Sequence, residues 1–411
     1  MISTTALLAI ALLLSVSHIQ ASEVTFPVVP SGQRACYGTS GEVIICADRN
    51  KNLGGQDAFF TKTGLRYRNN NDGTISDLNT GLMWQQAVGR KMTWGAARSA
   101  ADTLHLGGHT DWRLPTIKEL YSLIDFSGQT PMPGRQGKPF IDGMFDFRYG
   151  DTASGERLID AQFWSANEYV GLTMGRDVTV FGVNFADGRI KGYPKMQPGR
   201  GENLMFVRYV RGNPVYGRNE FIDNKDGTVT DKATGLIWLQ VDSGILKAGP
   251  GGDGRMDWPQ ALDWAGKLSY AGHTDWCLPN AKELQSIVDY SRSPQVSGEP
   301  AINPVFKSSK ITDESGKPNF GFYWSSTTHL DGLNPGSAAV YVAFGEAFGF
   351  MRLPWSGNRP VLLDVHGAGA QRSDPKQGNP ADYPQGMGPQ GDVRRIYNLV
   401  RLVRTANGSR P

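Results

Sequence analysis

Apolar and polar residues alternate in short blocks along the chain, and each block occurs twice in the same order. The segment DGTISDLNTGLMW at residues 72–84 recurs as DGTVTDKATGLIW at 226–238. An Asp-Gly pair between β-prone residues is typical of a tight hairpin turn, so both segments are predicted to form β-hairpins. The segment VRYVR at 207–211 recurs as VRLVR at 400–404, and its period-two alternation predicts a further strand at the end of each copy.

Two helices are predicted in each copy from the residues that cap helix N-termini. The first is predicted to begin at Thr93 and to end at Gly107-Gly108 in one copy. In the other copy it begins at Asp257, where a Pro and a Gln follow in the positions that favour a capping box. The second follows the Leu-Pro of GHTDWRLPT at 108–116 and of GHTDWCLPN at 272–280. Short strands and long loops come after these helices. Each copy is therefore predicted to be an α+β domain.

Tryptophan positions support the duplication. Eight of the ten Trp residues fall at matched places in the two copies. We predict that these side chains form the structural core of each copy, so that the chain has twin hydrophobic interiors; the alternative is that a pair serves as a stacking platform for sugars. The matched pairs are Trp84 and Trp238, Trp94 and Trp258, Trp112 and Trp276, and Trp164 and Trp324.

The start of the chain has the pattern of an export signal. An apolar run over residues 6–14 is followed by small and polar residues, which is typical of a secretory signal peptide and too short for a membrane span. Residues 1–21 are predicted to be this signal peptide, and no later segment is predicted to span a membrane. We expect an exported protein that is periplasmic, secreted or on the cell surface. The formal net charge of +3 gives no reason to expect a nucleic-acid partner.

Cysteine usage agrees with export. Cys36 and Cys46 enclose a turn and a short apolar strand, and in an oxidising compartment we predict a disulfide between them. The third cysteine, Cys277, is predicted to be a free, buried thiol. The six His residues are scattered without ligand spacing, and the Asp-Gly turns lack the Glu that closes a calcium loop. No metal and no cofactor are predicted.

Taken together, the repeated blocks resemble the bacterial domain family named after the C-terminal domain of the Legionella collagen-like protein (Lcl). The resemblance rests on four motifs: DGT-x-x-D-x-x-TGL-x-W, G-x-TDW, WS followed by Ala or Ser, and VR-x-VR. The resemblance implies two tandem C-type-lectin-like domains, each with short helices and a twisted, mainly antiparallel sheet with long loops. It also implies a secreted or surface bacterial protein and, as a ligand class, sulfated glycosaminoglycans. The chain departs from the family's adhesin because it has no collagen-like Gly-X-Y tract.

The repeat fixes the expected domain boundaries. Residues 1–21 are the signal peptide, and 22–60 are an N-terminal segment that contains the disulfide. Residues 61–213 are the first Lcl C-terminal-type domain. Residues 214–411 are the second, with a large late insertion.

The late insertion is where the sequence places a binding site. The Gly-rich stretch 365–376 and its continuation to residue 395 have no matching block in the first copy. Long, non-repeated loops on a rigid scaffold often bind ligands; the alternative is a self-packed surface loop. Its arginines and lysine would suit a sulfated glycan through charge-assisted hydrogen bonds. The candidate ligand-binding residues are His366, Gln371, Arg372, Asp374, Lys376, Arg394, Arg395 and the unpaired Trp355.

Three functions are consistent with these observations. The first is a non-catalytic binding or adhesion protein whose partner is a glycan, sulfated or not, or another cell-surface polymer. The second is a structural subunit of an extracellular assembly, with the duplicated domains as spacers. The third is an enzyme, by analogy with formylglycine-generating relatives of the C-type-lectin-like fold, which use a pair of thiols for copper. If Cys36 and Cys46 are bonded, Cys277 alone remains for that role. No catalytic residue is predicted, and the sequence gives no oligomeric state.

Overall fold

A computed structural model of the chain describes residues 24–61, 63–197, 199–353, 356–357 and 359–405. The predicted signal peptide and the candidate ligand-binding residue Trp355 lie outside these residues.

The described chain is built from many short strands and a few short helices. The N-terminal segment contains β1 (Cys36–Tyr37), β2 (Val43–Ile44) and α1 (Asp57–Phe60). The first copy contains β3 (Tyr67–Asn69), β4 (Thr74–Asp77), β5 (Met83–Gln85), α2 (Trp94–Ala101), α3 (Ile117–Ser122), β6 (Gln162–Glu168), β7 (Thr179–Asn184), β8 (Arg189–Pro194), β9 (Met196–Gln197), β10 (Gly201–Glu202) and β11 (Val210–Arg211). The second copy contains β12 (Phe221–Asp223), β13 (Thr228–Asp231), β14 (Leu236–Leu239), α4 (Trp258–Lys267), α5 (Ala281–Ser286), α6 (Pro294–Ser297), β15 (Lys310–Thr312), β16 (Pro318–Phe320), β17 (Phe322–His329), β18 (Ala338–Ala343), β19 (Phe348–Arg352), β20 (Pro360–Asp364), β21 (Gln371–Pro375) and β22 (Val403–Thr405).

Each copy has a four-stranded antiparallel sheet made from its repeated blocks. The strand order is β11-β5-β4-β3 in the first copy and β22-β14-β13-β12 in the second. Val210 lies opposite Trp84, and Val403 lies opposite Trp238 in the same way. The turn before β13 places Gly227 at a φ of 89°, which glycine adopts without strain. The hairpins and the later strand predicted from the sequence are present in both copies.

The helices begin where the capping residues predict. At α3 the Thr116 hydroxyl accepts from the amide of Glu119, whose carboxylate accepts from the amide of Thr116. Asn280 and Glu283 form the same capping box at α5. Each box satisfies two amides that a helix N-terminus otherwise leaves without partners. The helix that begins after Thr93 is short, because α2 ends at Ala101, well before the Gly pair at which the sequence predicted its end.

The two copies share one six-stranded antiparallel sheet with the order β17-β18-β21-β8-β7-β6. Its centre is the pairing of Gln371 with Ile190. These two residues occupy equivalent positions, because Gln371 also lies opposite Val342, as Ile190 lies opposite Val183. The sheet is thus related to itself by a pseudo-twofold axis, the symmetry of an isologous dimer within one chain.

This arrangement corrects the prediction that the late insertion has no counterpart in the first copy. Strand β21 is the counterpart of β8, and the Pro-Lys that ends it, Pro375-Lys376, matches Pro194-Lys195. The amide of Lys376 donates to Ser337 O at 2.9 Å, and that of Lys195 donates to Val178 O at 3.0 Å. The second copy is longer in two places. Residues 344–369, which include the β19-β20 hairpin, stand where the first copy has 185–188, and residues 377–397 stand where it has 196–204 with the β9-β10 hairpin.

The hydrophobic core is continuous across the copies, so the prediction of twin interiors is wrong. One cluster contains Trp84 and Trp238 together with Leu120 of α3 and Leu284 of α5. Two smaller clusters lie within single copies, around Trp112 and Trp164 in the first and around Trp258, Trp276 and Trp324 in the second. Seven of the eight paired Trp side chains are buried, and the eighth, Trp94, is half-buried.

The N-terminal segment ties the copies together. The amide of Phe26 donates to Ala233 O in the second copy, and Ser31 O accepts from the amide of Phe126 in the first, both at 2.8 Å. The predicted disulfide between Cys36 and Cys46 is present.

The architecture is α+β with mainly antiparallel sheets. The C-type-lectin-like organisation stays an expectation. Within the described ranges, the helices are all too short or too polar to cross a membrane.

Candidate ligand-binding cleft

Five of the eight residues predicted to bind a ligand are buried in the shared sheet or beside it. An exposed loop was expected, but β21 is a central strand and β8 and β18 cover both its edges. The solvent exposure of these five side chains does not exceed 6%, so they cannot meet a ligand at the surface. The prediction of ligand binding is therefore corrected for His366, Gln371, Arg372, Asp374 and Lys376.

Their charges are balanced inside the protein. His366 Nε2 lies 2.7 Å from Asp392 Oδ1, and the guanidinium of Arg372 pairs with the other oxygen of the same carboxylate. Burial lowers the pKa of His366 to about 3, and the positive charge of Arg372 acts in the same direction. This imidazole is therefore neutral at physiological pH.

Lys376 fastens the N-terminal segment to the second copy. Its Nζ donates to the carbonyls of Tyr37 and Gly38, each at 3.1 Å, and lies 4.2 Å from the centroid of the Trp258 ring. Burial lowers the pKa of this ammonium to about 7. The function of Lys376 visible in the structure is thus internal packing and not contact with a ligand.

The remaining two predicted residues, Arg394 and Arg395, line a cleft of about 700 Å³ on the second copy. We call it the second-copy cleft. Four segments form it: residues 250–260 before and within α4, residues 311–314 at β15, Phe350 of β19, and residues 380–397. Its lining residues are Pro250, Gly251, Asp253, Arg255, Gln260, Ile311, Thr312, Glu314, Phe350, Pro380, Tyr383, Pro384, Val393, Arg394, Arg395 and Tyr397.

Aromatic and proline side chains line this cleft beside its charged groups. Tyr397 is 38% exposed, and Tyr383 and Phe350 are half-buried. Such side chains offer flat apolar faces, and the tyrosines add a hydroxyl that both donates and accepts. The cleft therefore combines stacking surfaces with hydrogen-bonding groups, as small-molecule sites do.

The arginines of the cleft already have carboxylate partners. Arg395 makes a bidentate pair with Glu314 at 2.9 and 3.0 Å and stacks on Phe322 with its Cζ 3.9 Å from the ring centroid. Arg394 lies 3.3 Å from Asp374. The third arginine, Arg255, lies 2.6 Å from Asp253. The lining of the cleft is thus close to neutral overall, although it is rich in charged groups.

Two arginine donors of the cleft lack acceptors among the described residues. These are Nε of Arg394 and Nη1 of Arg395. A buried donor without an acceptor costs about 1–3 kcal/mol. Both atoms are buried from solvent, so this cost falls on the folded protein and does not by itself offer contacts to a ligand.

Backbone strain marks the same wall of the cleft. Ile396, between two lining residues, has a φ of 58°, which a β-branched residue rarely adopts. Such a conformation costs on the order of 1–3 kcal/mol and occurs often at binding sites. The turn holds Arg395 and Tyr397 at the cleft while the Ile396 side chain is fully buried.

Of the residues predicted from the sequence, Arg394 and Arg395 lie in this cleft, and the rest of its lining was not predicted. A spacing signal was present: Trp84 and Trp94 are ten residues apart, whereas their counterparts Trp238 and Trp258 are twenty apart. That difference places an addition before α4, which supplies Asp253 and Arg255.

No cluster of three or more potential metal-ligating side chains occurs among the residues that the structure describes. The thiol of Cys277, which is buried, points to the carbonyl of Asp275 at 3.5 Å. Its counterpart Arg113 makes a bidentate pair with Glu119 at 2.7 and 2.5 Å.

Comparison with known protein families shows to which family the chain belongs. The family description of the Lcl C-terminal domain matches residues 73–211 and 227–361, which is more than half of the chain. This chain belongs to the Lcl C-terminal domain family. It carries two tandem copies of that domain, as the repeated blocks predicted. Comparison with curated proteins and with solved structures gave no match.

The structure extends the second Lcl C-terminal domain beyond the matched range. Strand β22 lies after residue 361, yet it pairs with β14 as β11 pairs with β5 in the first domain. The second domain therefore closes only at residue 405, and most of the late insertion lies between its matched part and its last strand.

Proposed function

We propose that this protein is an exported, non-catalytic binding protein whose second Lcl C-terminal domain takes a carbohydrate in the second-copy cleft. The observation that carries the proposal is the joint presence of aromatic side chains and of paired guanidinium and carboxylate groups in the lining of one cleft of about 700 Å³. Sugar rings present apolar C–H faces that aromatic side chains can cover. Their hydroxyls both donate and accept, so they match carboxylates and guanidinium groups together.

The charge of the cleft narrows the ligand class. A strongly sulfated polymer needs unpaired cations, and the three arginines here are paired with Glu314, Asp374 and Asp253. A neutral or weakly acidic glycan fits a cleft with balanced charges better, because its hydroxyls can bridge each ion pair.

Export and absence of catalysis are parts of the same proposal. The disulfide is a bond that persists in oxidising compartments, which supports the predicted signal peptide. A copper site of the thiol type needs two free cysteines, and Cys277 alone is free. Membership of the Lcl C-terminal domain family supports a protein that acts by binding at or outside the cell surface.

A glycan array with the mature protein is the first test, followed by calorimetric titration of the best ligand. The variants Tyr383→Ala and Tyr397→Ala are each expected to weaken binding about tenfold, since loss of one stacking contact costs on the order of 1–2 kcal/mol. Leu333→Ala, which removes a side chain that is 83% exposed, is the matched control and should bind normally. Absence of any glycan signal, or equal affinity of the cleft variants and wild type, would refute the proposal.

Heparin chromatography separates the two glycan classes. A balanced cleft predicts that heparin is released below physiological salt, because the interaction rests on few unpaired charges. Retention at physiological salt that is lost in Arg255→Ala would instead assign the cleft to sulfated polymers.

A further inference from the structure

The pseudo-twofold axis creates two equivalent grooves, each between the capped N-terminus of a second helix and a loop of the other copy. One groove lies between α3 and residues 287–291, and it is open, with a volume of about 720 Å³. We call it the junction groove. Its equivalent lies between α5 and residues 123–127, and we call it the filled groove.

Reciprocal contacts establish that the grooves are equivalent. Lys118 Nζ donates to Ser286 O at 2.7 Å, and Lys282 Nζ donates to Ser122 O at the same distance. Further along, the amide of Asp289 donates to Ala301 O as the amide of Asp125 donates to Phe140 O. The loops that line the two grooves, residues 287–291 and 123–127, therefore follow the same backbone path.

The N-terminal segment occupies the filled groove in an extended conformation. The amide of Phe126 donates to Ser31 O at 2.8 Å. The side-chain amide of Gln33 makes two hydrogen bonds with the backbone of Thr328, at 2.7 and 2.8 Å. Asp57 of α1 accepts from the hydroxyl of Thr327, next to the α5 cap. Between this segment and α5 a void of only about 10 Å³ remains.

The junction groove offers the corresponding groups without an occupant from the described chain. Tyr290 is the counterpart of Phe126, and its amide has no acceptor within the described residues. Asn167, the counterpart of Thr327, lines the groove and accepts from the amide of Ile117 as Thr327 accepts from that of Ala281. An amide that awaits a carbonyl at the edge of a groove is a usual anchor for an extended peptide.

We propose that the junction groove binds an extended peptide segment of a partner polypeptide, in the way the filled groove holds residues 26–33. The chain itself shows the chemistry of the occupant. It is an apolar, proline-containing stretch without regular secondary structure, followed by small residues whose carbonyl meets the waiting amide. The sequence FPVVPSGQ fills that description on the other side of the axis. The partner adds backbone hydrogen bonds at Tyr290 and packs along the groove that Ile117, Ile287 and Val288 help to line.

A fluorescein-labelled peptide with the sequence of residues 25–34, TFPVVPSGQR, is the probe, and fluorescence anisotropy with the mature full chain is the readout. Ser291 is exposed and Arg218 is exposed, and both line the groove. Ser291→Trp and Arg218→Trp each obstruct the groove from a different side. Each is expected to weaken binding about tenfold or more. Ser99→Trp, at an exposed position on α2, is the control and should bind as wild type does.

Hydrogen exchange of the complex locates the peptide. Protection of residues 287–291 supports the junction groove. Protection changes confined to residues 123–127 would mean that the peptide exchanges with the chain's own segment in the filled groove, and they would overturn the proposal. Absence of binding up to about 1 mM peptide, the weak end of specific affinities, or equal affinity of both obstructed variants and wild type, would overturn it as well.

Discussion

Replacement of Arg208 by Met is expected to destabilise the whole chain by about 3–5 kcal/mol. Arg208 is fully buried and lies on the repeated VR block beside β11. Its guanidinium donates to the carbonyls of Gln85, Gln86 and Asp146 at 2.6–2.7 Å. Burial lowers the pKa of Arg208 to about 9, so the group stays charged at neutral pH.

The magnitude follows from the three carbonyls. Each buried oxygen left without a donor costs about 1–3 kcal/mol. Gln86 O keeps a second donor, the amide of Asp146 at 3.2 Å, so the full cost applies to the oxygens of Gln85 and Asp146. Removing the desolvated charge returns part of that sum, because the protein no longer has to bury a cation. Methionine fills the space of the aliphatic stem, which limits the loss of packing. The cost of the lost hydrogen bonds to the carbonyls exceeds the gain from removing the buried charge, since three such bonds are lost.

The assay is urea denaturation at pH 7 followed by tryptophan fluorescence. Because the core is continuous across the two domains, wild type and variant should each unfold in one cooperative transition. Arg211→Met is the matched control in the same block. Arg211 pairs with Asp111, a carboxylate that is 60% exposed, and such surface pairs contribute below about 1 kcal/mol.

Two results would refute this reasoning. A loss for Arg208→Met no larger than that for Arg211→Met would show that the buried guanidinium does not support the carbonyls. Two separate transitions, of which Arg208→Met moves only the first, would show that the domains are energetically independent despite the shared sheet. Arg401 provides a second trial, because it donates to the carbonyls of Leu239, Gln240 and Lys307 in the equivalent place.

Two further outcomes are expected from the same structure. Replacing both Cys36 and Cys46 by Ala should lower the free energy of unfolding by about 2–3 kcal/mol, because the bond closes a short loop in the unfolded chain; urea denaturation with a change below 0.5 kcal/mol, well under that estimate, would contradict it. Burial lowers the pKa of Lys282 and of Lys376 to about 7, against 10.5 in the unfolded chain. The unfolded state then holds more protons between pH 7 and 10, so stability should rise with pH across that window and be flat in this respect below it. Unfolding measured at pH 7 and 9.5 should show a smaller rise in Lys282→Met than in wild type, and an equal rise would count against the assignment.

The sequence by itself determined the local elements and the family. Each DGT block contains its own turn, and each capping box places donor and acceptor within four residues, so the hairpins and the starts of α3 and α5 follow from neighbouring residues. The disulfide spans ten residues and is also a local event. These features need no knowledge of how the two copies meet.

Only the tertiary structure decided what the late insertion does. Residues 371–375 contain Arg372 and Asp374 and resemble a polar loop, yet they form the middle of a sheet because Asp392 and Arg394 neutralise them from twenty residues away. The continuous core has the same origin: the pairing of β21 with β8 joins residues 181 positions apart. Local periodicity carries no information about such partners. The cleft likewise assembles from four segments that meet only once the second domain has closed around β22. Most of its walls belong to loops, whose positions are set by the sheet and not by their own sequence.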